Sequence, residues 1–182
     1  MKKVNSIPLL LWIIGSLSFS QVLAQPKDIE GWNNARWNMA EEEVKAIFAT
    51  KQVSSRSKPS GGYTTLTLPE GTRLDGFEFD VYFLFNENKL KQVHLTAKKP
   101  SAGTGTQIEM ILIERYGQPT FKKDYESAIS SGSAEDMGLS VRSWNFPSTI
   151  IELHNLHQKS RPDLDLIKIL YRESTEEGDK TP

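Results

Sequence analysis

The amino-acid sequence contains no cysteine among its 182 residues. This absence excludes disulfide bonds, thiolate metal sites and cysteine nucleophiles, so the folded protein must be stabilised by apolar packing alone. An excess of one charge is also lacking, because 22 lysines and arginines stand against 23 aspartates and glutamates. Balanced charge argues for ordinary solubility and against a nucleic-acid-binding protein, which typically has a basic face and a high pI.

Apolar runs long enough to cross a membrane are missing as well. The longest, residues 7–17, is about half of the roughly 20 residues that a spanning helix needs. Lys2 and Lys3 precede it, and Val22-Leu23-Ala24 follows it with small residues at the spacing that signal peptidase accepts. We therefore predict a signal peptide over residues 1–24, cleaved after Ala24, and a periplasmic or secreted product with no membrane span.

Cleavage after Ala24 leaves about one domain's worth of chain, which we predict to form a single domain over residues 25–171. It removes two lysines, so the mature chain carries 20 basic and 23 acidic residues and a net charge of −3. The charged tail, residues 172–182, is predicted to be disordered.

Two segments have apolar residues at helical spacing. The first, residues 40–51, places three consecutive glutamates in its opening turn, where acidic side chains suit the helix dipole. The second, residues 106–116, is followed by Gly117, a residue type that commonly ends helices, and then by Pro119. Both segments are therefore predicted to be amphipathic helices.

Alternation of apolar and polar residues predicts strands in the rest of the domain. It is strongest where Phe77, Phe79, Val81, Phe83 and Phe85 recur at every second position. The other predicted strands are 63–68, 89–97, 121–125, 139–146, 149–155 and 164–171. Segments with neither period are predicted as an irregular lead-in (25–36), a loop (52–62) and a mobile loop (126–138).

The hairpin after the strongest strand needs an odd number of loop residues if the odd-numbered side chains of both its strands face the core. We therefore predict a three-residue loop, Asn86-Glu87-Asn88. This register places Leu84 opposite Leu90 and Asp80 opposite His94.

The predicted order is a helix, three strands, a second helix and three or four further strands. Two α-β-β-β repeats that form one sheet, residues 37–97 and 104–171, would explain this order. The alternative is coincidence, because any two amphipathic helices can be aligned in this way. In either case the fold class is α+β, with amphipathic helices packed on antiparallel β-meanders.

Two short segments resemble those of small bacterial envelope domains. Residues 37–44, Trp-Asn-Met-Ala-Glu-Glu-Glu-Val, resemble a "Trp-Gly-Met-Ser…Glu-Val" helix opening, with Asn38 and Ala40 in place of Gly and Ser. Residues 112–119 resemble a helix that ends in Gly-x-Pro. With a helix followed by a β-meander, the chain is similar to the SmpA/OmlA-type outer-membrane assembly domains and to the β-lactamase-inhibitor-protein-like superfamily. The resemblance implies a binding or assembly role without catalysis, and the chain departs from it in lacking a lipid-anchor cysteine.

Three apolar residues, Tyr82, Leu84 and Leu90, are predicted on the outward face of the first meander. If they remain uncovered, they form an exposed apolar patch of the kind that marks a partner site. If the sheet continues through both halves and packs over them, they contribute to the core instead.

The histidines are the remaining candidates for chemistry. His94 and Asp80 could form a cross-strand acid–base pair, but they lack a nucleophile or a third partner and are typical of exposed surface pairs. His154 and His157 have a spacing that suits a shared metal on a helix, whereas strand parity directs them to opposite faces. The sequence therefore predicts no catalytic residue, metal or cofactor.

These observations favour an exported, non-catalytic protein that binds another protein or a cell-envelope component through a sheet face or through the 126–138 loop. One alternative is a periplasmic protein inhibitor of an enzyme, as the resemblance implies. The other is a hydrolase that uses His94 with Asp80, or His154 and His157. The balanced charge predicts no nucleic-acid partner.

Overall fold

The structure is a computed structural model that describes residues 27–48, 54–60, 63–126, 137–158 and 165–174. The predicted signal peptide lies outside these residues, as do most of the predicted mobile loop and most of the predicted tail. None of the described helices is long and apolar enough to cross a bilayer.

A short hairpin comes first, where the sequence predicts an irregular lead-in. Its strands, β1 (Gly31–Trp32) and β2 (Ala35–Arg36), pair antiparallel. Asn33 and Asn34 form the turn with φ of 47° and 73°, a left-handed backbone that asparagine tolerates better than most residues. The prediction is wrong at this hairpin because strands of two residues are too short to show a period.

Helix α1 (Glu41–Ile47) and four strands make up the first half. The strands are β3 (Ser54–Ser60), β4 (Tyr63–Leu74), β5 (Phe77–Asn86) and β6 (Lys89–Ala97). β3 lies within residues 52–62, and the prediction of a loop there is wrong. A strand at the edge of a sheet is held by backbone hydrogen bonds to one neighbour, so it needs no alternating apolar residues.

The second half has the same order, a helix followed by four strands. Helix α2 (Thr104–Tyr116) ends at Gly117, which has φ of 81° and donates its N–H to the Ile113 carbonyl (2.8 Å). The strands are β7 (Phe121–Glu126), β8 (Met137–Asn145), β9 (Thr149–Gln158) and β10 (Leu166–Glu173). Since β10 reaches Glu173, the prediction of a disordered tail is wrong at Arg172 and Glu173.

Eight strands form one sheet in the order β3-β4-β5-β6-β10-β9-β8-β7, and every neighbouring pair is antiparallel. Each helix is thus followed by a meander of four strands, and the two meanders meet where β6 pairs with β10. The chain has a mainly-β α+β fold, as the helical and alternating periods predict.

Both helices pack on the same face of the sheet, which we call the helix face. The core on this face includes Val44, Phe48, Leu66, Val93, Ile108, Leu112, Ile151, Leu153, Ile167 and Ile169. Phe79, Val81, Phe83 and Phe85 are at most 1% exposed there, which confirms the alternation predicted for β5. The ring of Phe83 packs on those of Phe48 and Trp32, with centroids 5.2 and 5.8 Å away.

The β5–β6 hairpin differs from the predicted one. Glu87 and Asn88 form a two-residue turn with φ of 51° and 57°, which pairs Phe85 with Leu90. A bulge then adds Lys91 to β6. The bulge restores the parity that the short turn breaks, so beyond it the odd-numbered side chains of both strands face the core.

Beyond the bulge, the register pairs Tyr82 with His94 and Asp80 with Thr96. The predicted three-residue loop is therefore wrong, as are the predicted Asp80–His94 and Leu84–Leu90 pairs. The parity argument fixes which face is buried, but a bulge satisfies it as well as an odd loop does.

The N-terminal segment connects the two halves. The Trp37 indole N–H donates to Thr149 Oγ1 (2.7 Å) at the start of β9, and the Asn38 amide donates to a Glu173 carboxylate oxygen (2.6 Å) at the end of β10. The Asp28 carboxylate accepts bonds from the Ser148 hydroxyl (2.6 Å) and N–H (3.0 Å). These bonds, the hydroxyl's above all, lower the pKa of Asp28 below its ordinary value, against the opposing effect of burial.

Candidate functional site

The face of the sheet opposite the helices, which we call the open face, carries most of the residues that the sequence analysis singles out. Both described helices pack on the other face, and the open-face side chains of β5, β6, β9 and β10 all keep part of their surface accessible. Asp80, Tyr82, Leu84, His94 and His154 lie on this open face.

The predicted patch of Tyr82, Leu84 and Leu90 is only partly present. Tyr82 and Leu84 are half-buried on the open face, whereas Leu90 is fully buried on the helix face. The prediction for Leu90 is wrong because the two-residue turn pairs it with Phe85, an inward-facing residue. Two half-buried side chains on one strand do not make a patch by themselves.

The candidate acid–base pair is not formed. The Asp80 carboxylate lies 3.1 Å from Lys98 Nζ, and His94 Nε2 lies 2.8 Å from the amide oxygen of Gln92. His154 Nε2 lies 3.4 Å from Glu152 Oε2 in the same strand. Each imidazole therefore contacts the residue two positions before it in its own strand.

His154 and His157 lie on opposite faces of the sheet, as strand parity predicts. His154 pairs with Lys168 and Val141 on the open face, and His157 pairs with Gly138 on the helix face. Within the described parts of the chain, no group of three histidine, aspartate or glutamate side chains is placed to hold a metal.

Burial and charge set the ionisation of the open face. Burial lowers the pKa of His94 below its ordinary value, and the charges of Lys168 and His154 lower it further. A hydrogen bond from His154 lowers the pKa of Glu152, assisted by Arg172 and opposed by burial. Near neutral pH, His94 is accordingly uncharged and Glu152 is ionised.

Replacing His94 with glutamine should make the free energy of unfolding less dependent on pH below about 6.5, the ordinary histidine value. The folded-state pKa lies below that of the unfolded chain, so acidification protonates the unfolded state first. The wild type therefore loses stability as the pH falls from 6.5 towards the folded-state pKa, and His94→Gln lacks this loss. Urea unfolding at several pH values measures the difference.

The Lys168→Gln variant provides the matched test, because it removes one of the charges that depress the His94 pKa. NMR titration of the His94 imidazole should give a pKa below 6.5 in the wild type and a higher value in the variant. A wild-type value of 6.5 or above would contradict the placement of this imidazole.

Cross-strand register aligns the open-face side chains of the second half into rows. We call one the apolar row: it crosses four strands through Tyr125, Leu139, Leu156 and Leu166. The adjacent row, which we call the basic row, contains Lys123, Val141, His154 and Lys168. Lys123 Nζ also lies over the Tyr125 ring, 4.6 Å from its centroid, and so links the two rows.

These rows were not predicted from the sequence, although the sequence contains a signal for them. Strands β8 and β9 carry apolar residues at positions of both parities, with Trp144 and Leu153 facing the helices and Leu139 and Leu156 facing away. A strand with apolar residues on both faces indicates either two covered faces or an apolar open face. The rows themselves depend on register between separate strands, which the period of one strand does not contain.

A recess of about 400 Å³ lies at the start of α2 and is lined by His157, Gly105, Asn155 and Asp165, among others. Gly105 is needed for close packing, because a Cβ there would lie 2.2 Å from the Asn155 amide nitrogen. The Asp165 carboxylate accepts the Gln158 N–H (3.0 Å) and adds negative charge to the recess. This charge disfavours an anion at the helix N-terminus, so the recess offers no phosphate site.

A second concavity, which we call the central cleft, lies on the helix face between the β1–β2 hairpin and the end of α2. Its volume is about 330 Å³, and Trp32, Leu95, Arg115, Tyr116 and Tyr171 contribute to its lining. The central cleft could not be predicted from the sequence, because these residues come from four separate elements that only the folded sheet brings together.

Comparison of the chain with protein-family models, with curated proteins and with solved structures found no match. Two surfaces of the described residues are the candidates for binding. One is the pair of rows on the open face, and the other is the central cleft on the helix face.

Proposed function

We propose that this chain is an exported, non-catalytic binding module of the cell envelope, and that it docks a partner protein on the open face. The observation that carries the proposal is the apolar row, which continues across four strands of a face on which no described helix packs. Contiguous apolar surface that stays accessible often marks an interaction site.

The accessibility of the apolar row supports docking of a large partner. Tyr125 is 46% and Leu166 37% exposed at its two ends, and Leu139 and Leu156 between them are half-buried. Hydrogen-bonded strands fix the backbone of all four residues, so covering them requires the ordering of side chains alone. Tyrosine is also a residue type that is enriched where proteins bind each other.

The basic row defines the chemistry of the partner. Lys123 and Lys168 add positive charge beside the apolar side chains, and His154 lies between them on β9. The partner we propose therefore presents apolar side chains bordered by carboxylates. Such complementarity favours the correct partner and orients its approach.

The proposed location and origin rest on the sequence. A signal peptide over residues 1–24, cleaved after Ala24, would place the mature chain in the periplasm or outside the cell. The resemblance to SmpA/OmlA-type and β-lactamase-inhibitor-protein-like domains favours binding or assembly over catalysis. The helix-plus-four-strand order of both halves supports the further proposal that residues 37–97 and 104–171 arose by duplication.

Capture from envelope extract with matched variants tests the docking surface. We expect Leu156→Glu, in the middle of the apolar row, to reduce recovery of the cross-linked partner about tenfold or more, because it leaves a charge in a desolvated interface. Leu84→Glu places the same change on the open face of the first half, outside the rows, and should retain capture. Circular dichroism and unfolding midpoints establish that both variants are folded.

The outcomes separate the three functions. Equal capture by the wild type and Leu156→Glu would contradict the docking surface. Recovery of a single enzyme in stoichiometric amount, with loss of that enzyme's activity, would identify a protein inhibitor that uses the same face. Hydrolytic activity of the purified chain that disappears when His94, His154 and His157 are replaced by alanine would overturn the non-catalytic assignment.

A further inference from the structure

Aromatic rings that pack against the core form two walls of the central cleft. The Trp32 ring is buttressed by Phe48 and Phe83, and the Tyr116 ring packs edge-on against Phe146 with a centroid distance of 5.9 Å. Leu95 on the cleft lining is 2% exposed, so the lining includes part of the packed core. Walls fixed in this way are pre-organised for a flat apolar group.

A pair of tyrosine hydroxyls supplies hydrogen bonding within the cleft. The hydroxyl oxygens of Tyr116 and Tyr171 are 3.3 Å apart, and either can donate to the other. One proton serves that bond, so the other hydroxyl keeps its proton for a further acceptor. Burial of Tyr171, which is 3% exposed, holds its pKa well above the ordinary value, so the Tyr171 hydroxyl keeps its proton at neutral pH.

The charges that line the cleft are positive. Arg73 and Arg115 are its only charged lining residues among those described, and no carboxylate lines it. Arg73 is held by Glu78 at 2.5 Å, whereas Arg115 lies 3.6 Å from Asp75, beyond hydrogen-bonding distance. The Arg115 guanidinium thus keeps donors for an anionic ligand, and its planar fork matches a carboxylate.

From these three features we infer that the central cleft binds a small aromatic carboxylate, with its ring against Trp32 and Tyr116 and its carboxylate on Arg115 and the tyrosine hydroxyl pair. The cleft volume of about 330 Å³ suits a ligand of one or two rings. This site lies on the helix face, so it is independent of the docking proposed on the open face.

Calorimetric titration of the mature chain with phenylacetate, indole-3-acetate and phenylacetamide tests the inference. Either carboxylate should bind saturably and about tenfold or more tightly than the uncharged amide, because the amide cannot form a charged pair with the guanidinium. Quenching of tryptophan fluorescence, lost in Trp32→Phe, should report the same binding curve.

Variants locate the carboxylate contacts. Arg115→Gln should weaken the binding of the carboxylate about tenfold, and Tyr116→Phe by a smaller factor, because the guanidinium is a charged donor and the hydroxyl is an uncharged one. Arg172→Gln, which alters an arginine on the open face, is the matched control and should leave the affinity unchanged. Arg115 is about half exposed at 49%, so its variant is expected to fold normally.

Each contrary result bears directly on the inference. Absence of saturable binding by both carboxylates, or equal affinity for phenylacetate and phenylacetamide, would overturn it. Binding that is unchanged in Arg115→Gln and Tyr116→Phe would place the ligand elsewhere and would overturn the assignment of the cleft.

Discussion

Replacing Phe83 with alanine should lower the free energy of unfolding by about 3–5 kcal/mol, the usual range for removing a large buried aromatic side chain. Phe83 is fully buried on β5 and packs against Phe48 after α1 and Trp32 in the first hairpin. The variant would therefore loosen the contact between the sheet and two elements that cover it. Since single domains are stable by only about 5–15 kcal/mol, such a loss would take a large part of the total.

Leu84→Ala is the matched control, because the neighbouring residue points to the open face and is half-buried. Because part of the Leu84 side chain is already in water in the folded protein, we expect its removal to lower the free energy of unfolding by less than about 1.5 kcal/mol. Urea unfolding followed by circular dichroism measures the free energy of unfolding of both variants. The dependence of this free energy on urea concentration should be the same in the two. Similar losses at the two positions would contradict the inward placement of the β5 phenylalanines.

The buried face of β5 could be predicted from the sequence because it depends on one strand alone. Five apolar residues at every second position, from Phe77 to Phe85, allow only one side of a strand to meet the core. The two helices around Val44 and Ile108 could be predicted for the same reason, because the apolar spacing of each lies within one segment of the chain. The α+β class follows from these two periods.

Pairing between strands could not be predicted with equal accuracy. The turn at Glu87 and Asn88 places a glutamate, which rarely adopts a left-handed backbone, beside an asparagine, which adopts it more readily, and the bulge at Lys91 leaves no mark in the apolar pattern. The shorter turn and the bulge, each a change of one residue, together move the partner of His94 from Asp80 to Tyr82. Predicted cross-strand pairs are thus more fragile than predicted faces.

In the candidate sites too, features of one strand could be predicted from the sequence, whereas features that combine distant residues could not. Parity correctly separated His154 from His157, since three positions along a strand always reverse the face. The apolar row and the central cleft combine residues that are far apart in the chain, such as Tyr125 with Leu166 and Trp32 with Tyr171. Their assembly depends on strand order in the sheet, which no single period encodes.

Replacing Gly71 with alanine should destabilise the protein by at least about 3 kcal/mol. Gly71 has φ of 65°, a left-handed conformation that costs roughly 1–2 kcal/mol for a residue with a side chain. An added Cβ would also lie 1.9 Å from the carbonyl oxygen of Phe79, a backbone atom that cannot turn away. Relief of this contact requires β4 and β5 to separate at the irregular pairing between Leu68 and Thr72.

Gly76→Ala separates the two contributions. Gly76 also has a left-handed backbone, with φ of 91°, but no atom beyond its two chain neighbours lies within 4 Å of the position of a Cβ there. It should therefore show only the conformational cost, about 1–2 kcal/mol, in the same urea experiment. If Gly71→Ala cost no more than Gly76→Ala, the strands would not approach as closely as described. A larger loss of the free energy of unfolding at Gly71 would show that the close approach of the strands at the bulge in β4 contributes to stability. This bulge lies beside Thr72, which lines the central cleft.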